Sequence, residues 1–65
     1  MRLQLNGESV ETGAADLQAL LIEAGFGDAV VATAVNGSFV PQGMRGDHAL
    51  QPGDQVEVLA PMQGG

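Results

Sequence analysis

Met1-Arg2-Leu3-Gln4-Leu5-Asn6-Gly7-Glu8-Ser9-Val10-Glu11 opens the chain and decides its fold class. Leu3 and Leu5 alternate with Arg2 and Gln4, the period of a strand with one buried face. Asn6-Gly7 is the sharpest short hairpin signal, because a type I′ turn needs positive φ at both central residues. A two-residue loop fixes the register of the strands it joins. Leu5 then faces Glu8, Leu3 faces Val10 and Arg2 faces Glu11. The Leu3–Val10 pair lies on the core side and the Arg2–Glu11 pair on the wet side. Each is a favourable cross-strand contact.

Thr12 to Ala15 connects this hairpin to a helix predicted over Asp16 to Ala24. Asp16 suits the N-cap, where its carboxylate accepts a backbone N–H of the first turn. Leu17, Leu20, Leu21 and Ala24 fall on one stripe, and Gly25 suits the left-handed position just past the end. A helix this short is marginal alone, so it must pack on the hairpin's apolar face. The leucine stripe is read as core. Phe26-Gly27-Asp28 is a turn. Val30 to Val35 is apolar and β-branched, as a central strand is. Asn36-Gly37 repeats the hairpin signal and sets Val35 opposite Ser38, Ala34 opposite Phe39 and Thr33 opposite Val40. Pro41 lacks a ladder donor, which makes the second strand short or an edge. Gln42 to His48, with two glycines, reads as loop and His48 as a solvated loop histidine without catalytic partners. Gln51-Pro52-Gly53-Asp54 is a type II turn. Gln55 to Leu59 is the last strand, with Val56 and Val58 inward and Glu57 and Leu59 outward.

The order is strand, strand, helix, strand, strand, strand. In a mixed sheet the first and last strands can lie side by side in the middle, with the helix across one face. The predicted fold is therefore α+β, a β-grasp (ubiquitin-like) architecture. It has four to five strands, one main helix on one face and a flexible C-terminal tail over 60–65, all in one domain over 1–65.

Composition narrows the function. Sixty-five residues allow one small domain. Without cysteine there is no disulfide and no thiolate metal site, and with a single His no metal site is expected. Eight acidic residues against two basic give a formal net charge of -6. That argues against nucleic acid and anionic membrane as partners. It matches a partner with a basic docking face, or serves solubility alone. No apolar run is long enough to span a bilayer, and the N-terminus does not resemble a signal peptide, so a cytoplasmic location is expected.

The last stretch, Pro61-Met62-Gln63-Gly64-Gly65, gives the body something to hold. Glycine has no Cβ, so a Gly-Gly end threads a narrow channel and leaves its carboxylate approachable. From Ala60 onward the chain reaches at most ~20 Å, enough to enter a partner's active site while the domain docks outside. A free carboxylate is a poor electrophile and must be activated by another protein. This chain has no glycine-rich phosphate loop, no lysine and no catalytic constellation that could do so. Gly65 is then the reactive residue of a protein co-substrate rather than an enzyme, with Gly64, Gln63 and Met62 held inside the channel. Ala34 and Phe39 share the sheet face opposite Val40, and Leu59 joins them. An exposed apolar patch of this kind marks a partner site, so Phe39, Leu59 and Ala34 are the expected docking residues. A small second core under the Gly43 loop is the other reading of Phe39.

Val35-Asn36-Gly37-Ser38-Phe39-Val40-Pro41, Leu50-Gln51-Pro52-Gly53-Asp54-Gln55-Val56-Glu57-Val58 and the closing Gly64-Gly65 together resemble the ThiS family of sulfur carriers in thiamine biosynthesis. The resemblance runs the length of the chain. It departs from the family pattern at Gln42 and Met44, where an Arg and an aromatic are commoner, and at Met62-Gln63. It implies no cofactor held by this chain. It implies an E1-like, ThiF-like adenylyltransferase that uses ATP and magnesium on the Gly65 carboxylate. It also implies a persulfide sulfur donor that leaves a thiocarboxylate, and a ThiG-like thiazole synthase that accepts the sulfur. The small subunit of molybdopterin synthase shares fold and tail but is usually longer, with a differently spaced tail. A ubiquitin-like protein modifier would also share both. An acyl carrier protein needs a Ser at a helix start, where this chain has Asp16-Leu17-Gln18.

Overall fold

The computed structural model describes residues 1–27 and 29–60. Its elements are β1 (Arg2–Leu5), β2 (Glu8–Glu11), α1 (Leu17–Glu23), β3 (Ala32–Val35), β4 (Ser38–Val40), a 3₁₀ segment (Gln42–Asp47) and β5 (Gln55–Leu59). The five strands form one mixed sheet in the order β2-β1-β5-β3-β4. The last strand fills the middle, parallel to β1 and antiparallel to β3. This is the β-grasp arrangement expected from the sequence.

Both hairpins take the registers their turns impose. Leu3 pairs with Val10 and Arg2 with Glu11 in the first; Ala34 pairs with Phe39 and Thr33 with Val40 in the second. Asn6 and Asn36 both sit at φ 52, and Gly7 and Gly37 at φ 83 and 85. These are the left-handed values a type I′ turn demands. The edge strands β2 and β4 are short. The β4 edge is closed by Pro41 and the β2 edge carries Glu8 and Glu11, two ways of discouraging edge-to-edge pairing.

The helix begins where its cap predicts. The Asp16 carboxylate accepts from the Ala19 N–H at 2.8 Å. Leu17, Leu20 and Leu21 are buried against Leu3, Val35, Val40, Leu50, Val56 and Val58. Ala24 ends the helix and Gly25 turns the chain at φ 92. Main-chain bonds from Leu17 N–H to the His48 carbonyl and from Leu50 N–H to the Ala15 carbonyl tie the helix start to the segment before β5. Thr12 secures the other end. Its hydroxyl donates to the Glu23 carboxylate at 2.6 Å and accepts from the Ala14 N–H at 3.0 Å.

Two expectations need correction. The strand predicted from Val30 begins at Ala32. Ala32 pairs with Leu59, the last residue of β5, and among the described residues no pairing on that side reaches Val30 or Val31. The stretch Gln42 to His48 is not plain loop, because Gln42–Asp47 is a 3₁₀ segment. At six residues it exceeds the usual 3₁₀ run, and one buried side chain holds it. Arg45 is only 6% exposed. Its Nε donates to the Thr33 hydroxyl at 3.0 Å and its Nη2 to the Val31 carbonyl at 2.6 Å. Thr33 in turn donates to the Val40 carbonyl at 2.8 Å. One guanidinium thus joins the 3₁₀ segment to β3 and, through Thr33, to β4. It also gives the Val31 carbonyl a donor past the point where β4 ends at Val40. His48 is half-buried rather than fully solvated.

Candidate functional site

Strand alternation puts Val56 and Val58 beneath the helix and Glu57 and Leu59 on the opposite face. Cross-strand pairing then decides what lies beside them. Phe39 pairs with Ala34 and Ala34 with Glu57, a row across three strands; Ala32 pairs with Leu59 one step along. The structure therefore brings Ala34, Phe39 and Leu59 together on the face away from the helix. Phe39 is 68% exposed and Leu59 66%, while Ala34 is half-buried. With this exposure, Phe39 is not the centre of a second core under the Gly43 loop.

Two shallow grooves run over this face. One is lined by Ala32, Ala34, Phe39, Glu57 and Leu59. The other is lined by Val30, Val31, Ala32, Leu59 and Ala60. They share Ala32 and Leu59, so the apolar surface is continuous from Phe39 to the root of the tail. Val30, 80% exposed, extends it at that end. Solvent-facing apolar side chains clustered this way are the usual mark of a contact surface. Ala32 and Val30 were missed as members of it. Period two along β3 would have found Ala32, which shares a face with Ala34. Glu57 is the one acidic group among the groove-lining residues, and its place beside Leu59 was legible from the same alternation.

Of the tail expected at 60–65, Ala60 is described and exposed. Met62, Gln63, Gly64 and Gly65 lie outside the described residues. Among the described residues no cluster of His, Asp and Glu is arranged to hold a metal ion. The perturbed carboxyl is far from the groove in the sheet order. Glu11, on the β2 edge, is held below the usual carboxylate range by a hydrogen bond from the Met1 ammonium, then by its charge, with a further contribution from Arg2. The contacts are 3.3 Å to the ammonium and 3.2 Å to the guanidinium. No helix among the described residues is long and apolar enough to cross a membrane.

The sequence model of the ThiS family matches residues 3–65. The chain belongs to the ThiS family. Among solved structures it is similar to the thiamine biosynthesis protein ThiS from Geobacter metallireducens. The two share 30% sequence identity and superpose with a TM-score of 0.81, over 100% of each chain. A search of curated proteins finds no match. Membership of the ThiS family covers both hairpins, the helix and the Gly-Gly end in one span. No residue of the groove is assigned a role by that likeness alone.

Proposed function

We propose that this chain is the sulfur carrier of thiazole assembly in thiamine biosynthesis, a protein co-substrate rather than a catalyst. The observation that carries the reading is the ThiS-family match through the terminal Gly-Gly, on a sheet whose middle strand leads directly into that end. A carboxylate needs activation before sulfur can enter. A ThiF-like E1 enzyme, with its own ATP and magnesium, joins the Gly65 carboxylate to AMP and releases pyrophosphate. The terminal sulfur of a donor persulfide attacks the acyl carbon and AMP leaves. A second thiol then cleaves the resulting acyl disulfide, giving the thiocarboxylate and a disulfide. A ThiG-like thiazole synthase accepts the sulfur. Throughout, the chain contributes position. Phe39, Ala34 and Leu59 dock on the partner, with Glu57 at their border, while Met62, Gln63 and Gly64 occupy its channel.

Intact-mass analysis tests this. After incubation with a ThiF-type enzyme, ATP and a persulfide donor, one terminal oxygen is replaced by sulfur. A chain lacking Gly65 stays unmodified and fails to support thiamine synthesis in cells. Loading that persists without Gly65, or isopeptide attachment of the chain to other proteins, overturns the reading.

A further inference from the structure

The two Asn-Gly turns do more than reverse the chain. In a parallel ladder a residue donates its N–H to one residue of the neighbour and accepts, through its carbonyl, from the residue two further on. Between β1 and β5 the rungs run from Gln4 N–H to the Asp54 carbonyl and from Asn6 N–H to the Val56 carbonyl, both 2.9 Å. The next rung should bring Val58 N–H to the main-chain carbonyl of Asn6. Asn6 is already in the turn at φ 52, and its side chain supplies the acceptor instead. Val58 N–H donates to Asn6 Oδ1 at 2.8 Å. The second turn repeats the substitution at the other end of β5. Asn36 N–H donates to the Gln55 carbonyl at 2.8 Å, and Gln55 N–H returns to Asn36 Oδ1 at 2.9 Å. Each turn asparagine thus lengthens the pairing of the central strand by one rung beyond the end of its own strand.

We propose that Asn6 is a positioning residue for the C-terminal tail. Its side-chain carbonyl completes the β1-side pairing of β5 at Val58, one residue before Leu59 and two before Ala60. On the other side of β5, the Ala32–Leu59 pair reaches the same level. With both sides held, the heading at which the chain leaves the sheet is fixed; without Asn6 Oδ1 only the β3 side holds it. The functional part of this inference rests on the sulfur-carrier reading above.

The turn alone does not explain the choice of Asn. Asn-Gly, Asp-Gly and Gly-Gly all suit a type I′ turn, but only Asn and Asp present a side-chain acceptor. Asn6→Gly and Asn6→Asp therefore separate the two roles. In the full chain, amide hydrogen exchange at Val58 is expected to accelerate roughly tenfold in Asn6→Gly, the loss of about one net hydrogen bond. It returns to near the native rate in Asn6→Asp, while the amides of α1 stay protected in both. In steady-state loading by a ThiF-type enzyme with ATP, Asn6→Gly lowers kcat about tenfold with little change in KM. The docking face is intact and only the aim of the tail is lost. Asn6→Asp restores kcat. A merely destabilised carrier would raise KM and expose α1 amides as well. Unchanged Val58 exchange in Asn6→Gly, or equal defects in the two variants, overturns the proposal. If the native chain is not loaded at all, the sulfur-carrier reading falls, and Val58 exchange still decides whether Asn6 Oδ1 holds the strand.

Discussion

Replacing Thr33 by Val keeps the shape of the side chain and removes one oxygen. That oxygen is 2% exposed with its residue and has two jobs. It accepts from Arg45 Nε at 3.0 Å and donates to the Val40 carbonyl at 2.8 Å. In the variant a guanidinium N–H is left buried without that acceptor. Stranding a buried donor costs about 1–3 kcal/mol, more when the group is charged, and the lost bond to Val40 adds about 1 kcal/mol. The expected loss is about 2–4 kcal/mol. A 65-residue domain has roughly 3–10 kcal/mol of stability in total, so the change is a large share of it. The midpoint of thermal unfolding should fall by roughly 10–25 °C. With no Trp or Tyr in the chain, circular dichroism is the suitable probe of urea and thermal unfolding. A cycle with Arg45→Met sharpens the test. Once the guanidinium is gone, Thr33→Val should cost about 1 kcal/mol less or better, because there is no stranded donor. A loss below about 0.5 kcal/mol for Thr33→Val, or strict additivity in the cycle, would refute the view that this charge is held by these bonds.

Other consequences are equally direct. Phe39→Ala should change stability by less than about 0.5 kcal/mol, because the ring is already exposed, yet weaken loading by the activating enzyme about tenfold or more; full loading at native KM would remove Phe39 from the docking face. Leu20→Ala, deep under the sheet, should cost about 2–5 kcal/mol, a large share of the domain's stability, and lower the thermal midpoint read by circular dichroism. Glu11 supplies a pH test. Its folded-state pKa is lowered from 4.5, so its stabilising contribution is present above 4.5 and is lost as pH falls through the lower, folded value. Acid titration of stability should therefore be flatter below pH 4.5 in Glu11→Gln than in the native chain; parallel curves would show that the ammonium and Arg2 contacts contribute nothing.

What could be read from the sequence was whatever local chemistry over-determines. Asn6-Gly7 and Asn36-Gly37 fix loop length, loop length fixes register, and register places Phe39 beside Ala34 and on the face of Leu59. The helix was bounded in the same way by Asp16 and Gly25. What stayed hidden depended on partners distant in sequence. Arg45 in a glycine-containing stretch reads as solvent-exposed, since arginine is seldom buried; its burial follows from where the Val31 carbonyl and Thr33 hydroxyl come to rest. β3 starts at Ala32, the residue that pairs with Leu59 at the end of β5, and the apolar run from Val30 does not show that. The second use of Asn6 was invisible too, because Val58 lies 52 residues further on.

The placement of β5 also bears on synthesis. The strand that fills the centre of the sheet is the last of the five to leave the ribosome, and both β1 and β3 wait for it as a neighbour. A translation product that stops before Gln55 lacks the keystone of its own sheet and leaves its leucines bare, ready for chaperone or protease. Premature termination thus yields no well-folded decoy able to sit on a partner while lacking the segment that follows β5.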